Sequence, residues 1–268
     1  MIFSLPLFGR RGSGLVLAAV IFATSLFAQD ASVLRQVQDI GRKAQDQLRQ
    51  VQLDFDRQRL EARDEARGRI AELKRGITPA AMQRDGSVVE AQYALAEAEA
   101  ELQWRTIPLI DAAQTQAENA IQRQRVADET AVHARTLDVG DEDQNRQMRE
   151  YLSKSVKIEQ RWQERFDALS HEWELARIEL QREERQAHNL YDREVARLVL
   201  QIQEDVAAGR SSSYGVAGDP RLAELEAQRD EKLNAIARRL DEAQLEHDSQ
   251  RAEAESQKEA ELAEIAPY

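Results

Sequence analysis

The sequence predicts an all-α protein: long antiparallel helices forming an extended, coiled-coil-like bundle after an N-terminal signal peptide. Three observations carry this reading. Gly and Pro are scarce, 11 and 5 in 268 residues, so turns are few and elements are long. The stretch Glu142 to Ala208 contains neither. Its apolar residues recur at steps of four and three, a spacing that puts them on one helix face.

Residues 1–28 read as the signal peptide. A short basic region ends in Arg10-Arg11, an apolar run covers Leu15 to Ala28, and Gln29-Asp30 follows. The competing reading is an uncleaved anchor, but the uncharged stretch Gly12 to Gln29 has only 18 residues, the low edge for a membrane span. Either way the charge asymmetry sends the rest of the chain out of the cytoplasm. Residues 29–268 then form one elongated helical domain, expected in the periplasm, with the cell exterior or an N-terminal anchor as alternatives.

Residues 31–75 form the first rod. Its seam is Val33, Val37, Ile40, Ala44, Leu48, Val51, Phe55, Arg59, Ala62, Ala66, Ile70 and Leu73. The steps approach an eleven-residue repeat, which predicts a straight or slightly right-handed rod. Arg59 is the one charged member and is expected to reach outward along its stem. Gly41 and Gly68 either permit a close helix approach or are tolerated at a cost in helix propensity.

A connection at 76–86 contains Thr78-Pro79 and Asp85-Gly86. Ser87 and Glu90 form a capping box opening the next helix, with the seam Val88, Ala91, Leu95, Ala98 and Leu102. Pro108 predicts a kink or break near Thr106–Leu109. A small-residue seam follows: Ile110, Ala113, Ala117, Ala120, Gln124, Ala127, Ala131 and Ala134. Gly140 marks the next turn.

The central rod carries Trp162, Phe166, Leu169, Trp173, Ala176 and Leu180, then Tyr191, Val195, Leu198, Ile202 and Val206. Between these runs Gln181–Gln186 is wholly polar. This rod is longer than the others, so it must overhang them or bend at the polar gap. Residues 209–219 are a loop, and Asp219-Pro220 caps the last helix. That helix runs to about residue 264 on Leu222, Leu225, Leu233, Ile236, Leu240 and Ala243. Beyond Leu245 no large apolar residue appears before Leu262, so this end is expected to fray or to need a partner.

Signs of chemistry are few. A net charge of −12 and a pI near 5.0 oppose a nucleic-acid partner. There is no cysteine, hence no disulfide, thiolate site or cysteine nucleophile. Asp141, Asp143 and Asn145 imitate the start of a calcium loop, but Arg146 and Leu152 stand where Gly and Glu are needed. These acids instead suit the positive start of the long helix. His133, His171, His188 and His247 lack metal spacing. No cofactor, metal or catalytic set is expected.

Trp162, Phe166 and Trp173 are the candidate site, either as core or as a partner-binding anchor. Val88–Leu102, through Ala-x-Tyr-x-Leu-Ala-x-Ala-Glu-Ala-Glu-Leu, resembles the hairpin helices of periplasmic membrane-fusion adaptors, although the strands of an adaptor's other domains are absent. A signal peptide followed by helical arms resembles the periplasmic holdase chaperones, a class of small basic proteins. The expected function is that of an exported cell-envelope structural or interaction protein without catalytic activity. It would associate with itself or with another envelope protein through its seams. The alternative is an adaptor or holdase of an export machine.

Overall fold

The computed structural model describes residues 31–77, 86–137, 141–210 and 219–266. The expected signal peptide and the expected turns or loops at Thr78-Pro79, Gly140 and most of 209–219 lie outside them. Helix takes 96% of the described residues, and none of these is in a strand. The helices are α1 (Ala31–Gly76), α2 (Gly86–Glu101), a π-helical turn (Leu102–Thr106), α3 (Ile107–Arg135), α4 (Glu142–Ala207) and α5 (Pro220–Ile265). The described residues thus make four rods, the second being α2, the π turn and α3 in succession. No described helix is long and apolar enough to cross a membrane.

The helix ends follow local chemistry. The Asp141 carboxylate accepts the Gln144 N–H at 2.8 Å and caps α4, which is the role its imitation of a calcium loop conceals. Asp219 accepts the Arg221 N–H at 2.9 Å, with Pro220 in the first turn of α5. Arg221 and that N–H together hold the Asp219 carboxyl down at about 2. At the other end of α4, Gly209 has φ +68°. This left-handed turn lets Arg210 N–H reach the Asp205 carbonyl at 2.8 Å, and Gly209 N–H the Val206 carbonyl at 3.0 Å.

Neighbouring rods run antiparallel. Along α4 and α5, Gln201 meets Arg221, Glu183 meets Arg239 and Glu159 meets Lys258. Rod two descends α4 in the same sense, through Glu97–Asn189 and Glu101–Arg182. Lys74–Glu99 and Arg59–Asp111 tie α1 to rod two. Among the described residues, α1 packs on rod two alone and α5 on α4 alone. The bundle is therefore open: four helices in series, with a first and a last that do not meet.

Burial follows that topology. Most fully buried apolar residues lie on the two interior rods, with Ile178 and Leu169 of α4 only 1% and 2% exposed. Side chains of this size contribute about 1.5–3 kcal/mol each when covered. α1 has only Val33 and Ala44 in that class, and α5 only Ala254. Every member of the predicted α1 seam is nevertheless buried or half-buried.

Rod two departs from expectation. Pro108 produces no break, for Thr106 and Ile107 both keep right-handed helical dihedrals. The π turn just before it widens the helix, and Ile107 N–H reaches back five residues to the Leu102 carbonyl. The small-residue seam holds only in part: Ile110, Ala113, Ala117, Ala127 and Ala134 are buried or half-buried, whereas Ala120, Gln124 and Ala131 are exposed. α3 has a neighbour on each side, α1 and α4, so one stripe cannot describe it. Glu90, expected to fold back in a capping box, reaches Arg197 of α4 at 2.5 Å. Arg59 likewise turns inward, donating to Asp111 at 2.8 Å and to the Gln114 amide oxygen. The excess length of α4 is taken up by overhang, and the helix is unbroken through Gln181–Gln186.

A Cβ added at Gly41 or Gly68 would meet nothing within 4 Å. Neither glycine serves a close approach. Gly41→Ala and Gly68→Ala should each stabilise by about 1 kcal/mol through helix propensity, raising the melting temperature by about 2–4 °C. Thermal unfolding followed by circular dichroism checks this, and a fall in melting temperature would contradict it.

Candidate functional site

The aromatic residues singled out from sequence lie on one strip of α4 facing α5, and all three are half-buried. The rings of Trp162 and Phe166 are 6.4 Å apart and tilted by 38°. Trp173 is not part of that pair. It stacks on the His247 imidazole of α5, with centroids 5.9 Å apart and planes at 28°. Trp162 Nε1 donates to the Glu261 carboxylate at 2.9 Å, and Arg161 pairs with the same carboxylate.

The strip follows one rule: α5 sets a polar group against each of Trp162, Phe166, Trp173 and Tyr191. The Arg251 guanidinium lies 6.0 Å from the Phe166 centroid. Arg229 lies 4.5 Å from that of Tyr191. The ring quadrupole attracts a cation at such range. Lys258 completes the row on Glu159 at 2.5 Å. These contacts also explain how α5 stays helical to Ile265 despite the lack of large apolar residues between Leu245 and Leu262. The seam continues after Ala243 at helical spacing through His247, Gln250, Ala254 and Lys258, all buried or half-buried. Extending the three-and-four count through polar residues was the signal that could have found them.

A second constellation sits at the π turn. Arg105 donates to Glu101 of its own rod and to Glu179 of α4, both at 2.8 Å. Arg182 donates to Glu101 at 2.7 Å. One turn further, Asn189, 3% exposed, donates to Glu97 at 2.8 Å, and Gln186 to the other oxygen of that carboxylate at 3.2 Å. The polar gap Gln181–Gln186 is thus half of a clasp whose other half is Glu97, Glu101 and Arg105. Burial pushes the Glu101 carboxyl up, but Arg105 and Arg182 together outweigh it and hold the group below its usual range. Beside the clasp, the Arg193 guanidinium lies 4.6 Å from the Tyr93 centroid. Burial, then the Glu97 charge, raises the Tyr93 hydroxyl.

The geometry suits holding helices in register. Each carboxylate of the clasp meets a guanidinium or an amide donor, and Glu101 stays ionised at neutral pH. Among the described residues no three His, Cys, Asp or Glu side chains stand together as a metal site. No protein-family model, curated protein or solved structure matches this chain.

Two outcomes follow. Trp162→Phe removes a bond to a charged acceptor, and such a bond is worth about 1.5–3 kcal/mol. Amide exchange should accelerate in the last turns of α5 before it does elsewhere; uniform acceleration would contradict a local clamp. Glu101 binds its proton less readily folded than unfolded, so its stabilisation is present above its ordinary 4.5 and is lost as pH falls through its lower folded value. Glu101→Gln should therefore reduce stability at pH 7 and flatten the decline below pH 4.5, as read from urea midpoints across pH. An unchanged slope would remove Glu101 from the acid response.

Proposed function

We propose that this protein is an exported cell-envelope structural or interaction protein, of coiled-coil type and without catalytic activity. It works by presenting long helices to partners. The observation that carries this reading is the open bundle: among the described residues, α1 and α5 are each covered on one side only. A rod of 66 residues, about 100 Å long, fits spanning and bridging better than enclosing a substrate. Export rests on residues 1–28, with their basic start, apolar run and small residue at Ala28.

Fractionation of the host and N-terminal sequencing of the full-length gene product test the export half of the reading. The expected outcome is a chain recovered outside the cytoplasm that begins at Gln29. A chain kept in the cytoplasm and beginning at Met1 would overturn it.

A second reading, the adaptor or holdase of an export machine, is favoured by Leu53 and Leu60. These side chains of α1 are 55% and 59% exposed and seven residues apart, hence on one face. A holdase would suppress aggregation of an unfolded client, and Leu53→Ser with Leu60→Ser would abolish that effect. A protein that leaves client aggregation unchanged is no holdase.

A further inference from the structure

The two edge helices have opposite charge. On α1, ten exposed basic residues face seven exposed acidic ones; on α5, four face twelve. The excess is arranged in rows. Arg35, Arg42 and Arg49 repeat every seven residues along α1, and Asp241, Asp248 and Glu255 do the same along α5. All six are exposed. Among the described residues their polar side-chain contacts stay within their own helices: Arg42 to Asp39 at 3.8 Å, Asp248 to His247 at 3.1 Å and Glu255 to Arg251 at 3.3 Å.

We propose that α5 of one molecule docks against α1 of a second copy, head to tail, so that the layer of helices continues from molecule to molecule. This rests on the reading of the protein as one that works by helix pairing, and it names the partner. Three features of the fold fit it. α1 and α5 are the same length, 46 residues. They are first and last in a series that alternates in direction, so a second α1 beside α5 is antiparallel to it, as every neighbouring pair within the chain is. Antiparallel helices bearing rows of equal period bring a guanidinium opposite a carboxylate about every 10.5 Å. Exposed Leu53 and Leu60 on α1 and Leu245 on α5, the last 70% exposed, supply apolar area beside the charges.

Charge also selects the symmetry. A two-fold dimer through α1 would set the arginine row against itself, and one through α5 would oppose the acids. Like charges so placed are costly. The α1-to-α5 contact joins unlike surfaces, and such a contact either closes as a ring or runs on as a filament.

Sedimentation of the full-length chain over a range of concentration and salt tests the proposal, with circular dichroism confirming helicity. The wild type is expected to form species larger than a monomer that dissociate as salt is raised. Arg35→Glu with Arg42→Glu and Arg49→Glu should weaken self-association by about a hundredfold. Asp241→Lys with Asp248→Lys and Glu255→Lys should do the same. A mixture of the two variants, or all six changes in one chain, should restore assembly. Should a triple variant lose helicity, Arg42→Glu and Asp248→Lys give the same pattern at smaller amplitude. A monomeric wild type, a reversed variant that assembles normally, or a mixture that stays apart would each overturn the docking. A monomer recovered outside the cytoplasm defeats this inference and leaves the envelope reading standing with another partner. Retention in the cytoplasm defeats the envelope reading whatever the state of assembly.

Discussion

Each helix here has only a narrow stripe to bury, and each stripe must be covered by a neighbour along the chain. That constraint organises the rest. A helix whose apolar residues follow one three-and-four row can satisfy one partner. α1 and α5 are of this kind, and among the described residues each has one partner. α4 and the α2–α3 rod carry buried residues around a wider arc and stand between two neighbours. The order of the helices in space is therefore their order in sequence, and nothing draws the first towards the last.

Where apolar residues run out, the seams continue in polar ones. Ala-rich contacts bury little area, and a lysine on glutamate or an arginine over a ring restores some of it. The energies are small: exposed ion pairs contribute about 0–1 kcal/mol, and a cation over an aromatic ring about 0.5–2. Their greater effect is on register. An antiparallel pair with an alanine seam could slide by a heptad at little cost in buried area. Sliding α5 along α4 would uncouple Trp162 from Glu261 and Tyr191 from Arg229 together, and sliding α2 along α4 would uncouple Asn189 from Glu97. The half-buried pair of Arg123 and Asp167, with side chains 19% and 13% exposed, acts likewise between α3 and α4. Removing either partner would leave an uncompensated charge between helices, which costs more than the pair contributes.

The same physics decides what the sequence makes legible. The α1 seam can be read residue by residue because the helix has one partner and a regular apolar row. The ends of α4 and α5 are legible because Asp141, Gly209 and Asp219-Pro220 act locally. The seam of α3 is not, because two partners superpose two rows on one helix, and Gln114, Asn119 and Arg123 fill positions that an apolar count skips. Pro108 misleads for a related reason. The rule for proline assumes an α-helical ladder, and the widened turn at Leu102–Thr106 absorbs the missing donor. The aromatic strip was visible as residues, but its partners His247, Arg251 and Glu261 were not, since each is polar and lies in a stretch without large apolar side chains.

An open layer leaves its ends least supported. α1 and α5 gain packing from one side only, so their persistence over 46 residues depends on helix propensity, caps and charge arrangement more than on a core. Such helices gain most from any further neighbour, because a second partner covers residues that the first leaves in water. The charge distribution bears on which neighbour that is. A chain of net −12 nonetheless gives one edge an excess of exposed basic residues and the other an excess of exposed carboxylates. Random scatter of 37 basic and 49 acidic residues would give both edges an acidic bias. α1 departs from that bias in sign, and it does so on the helix that has most to gain from an acidic companion.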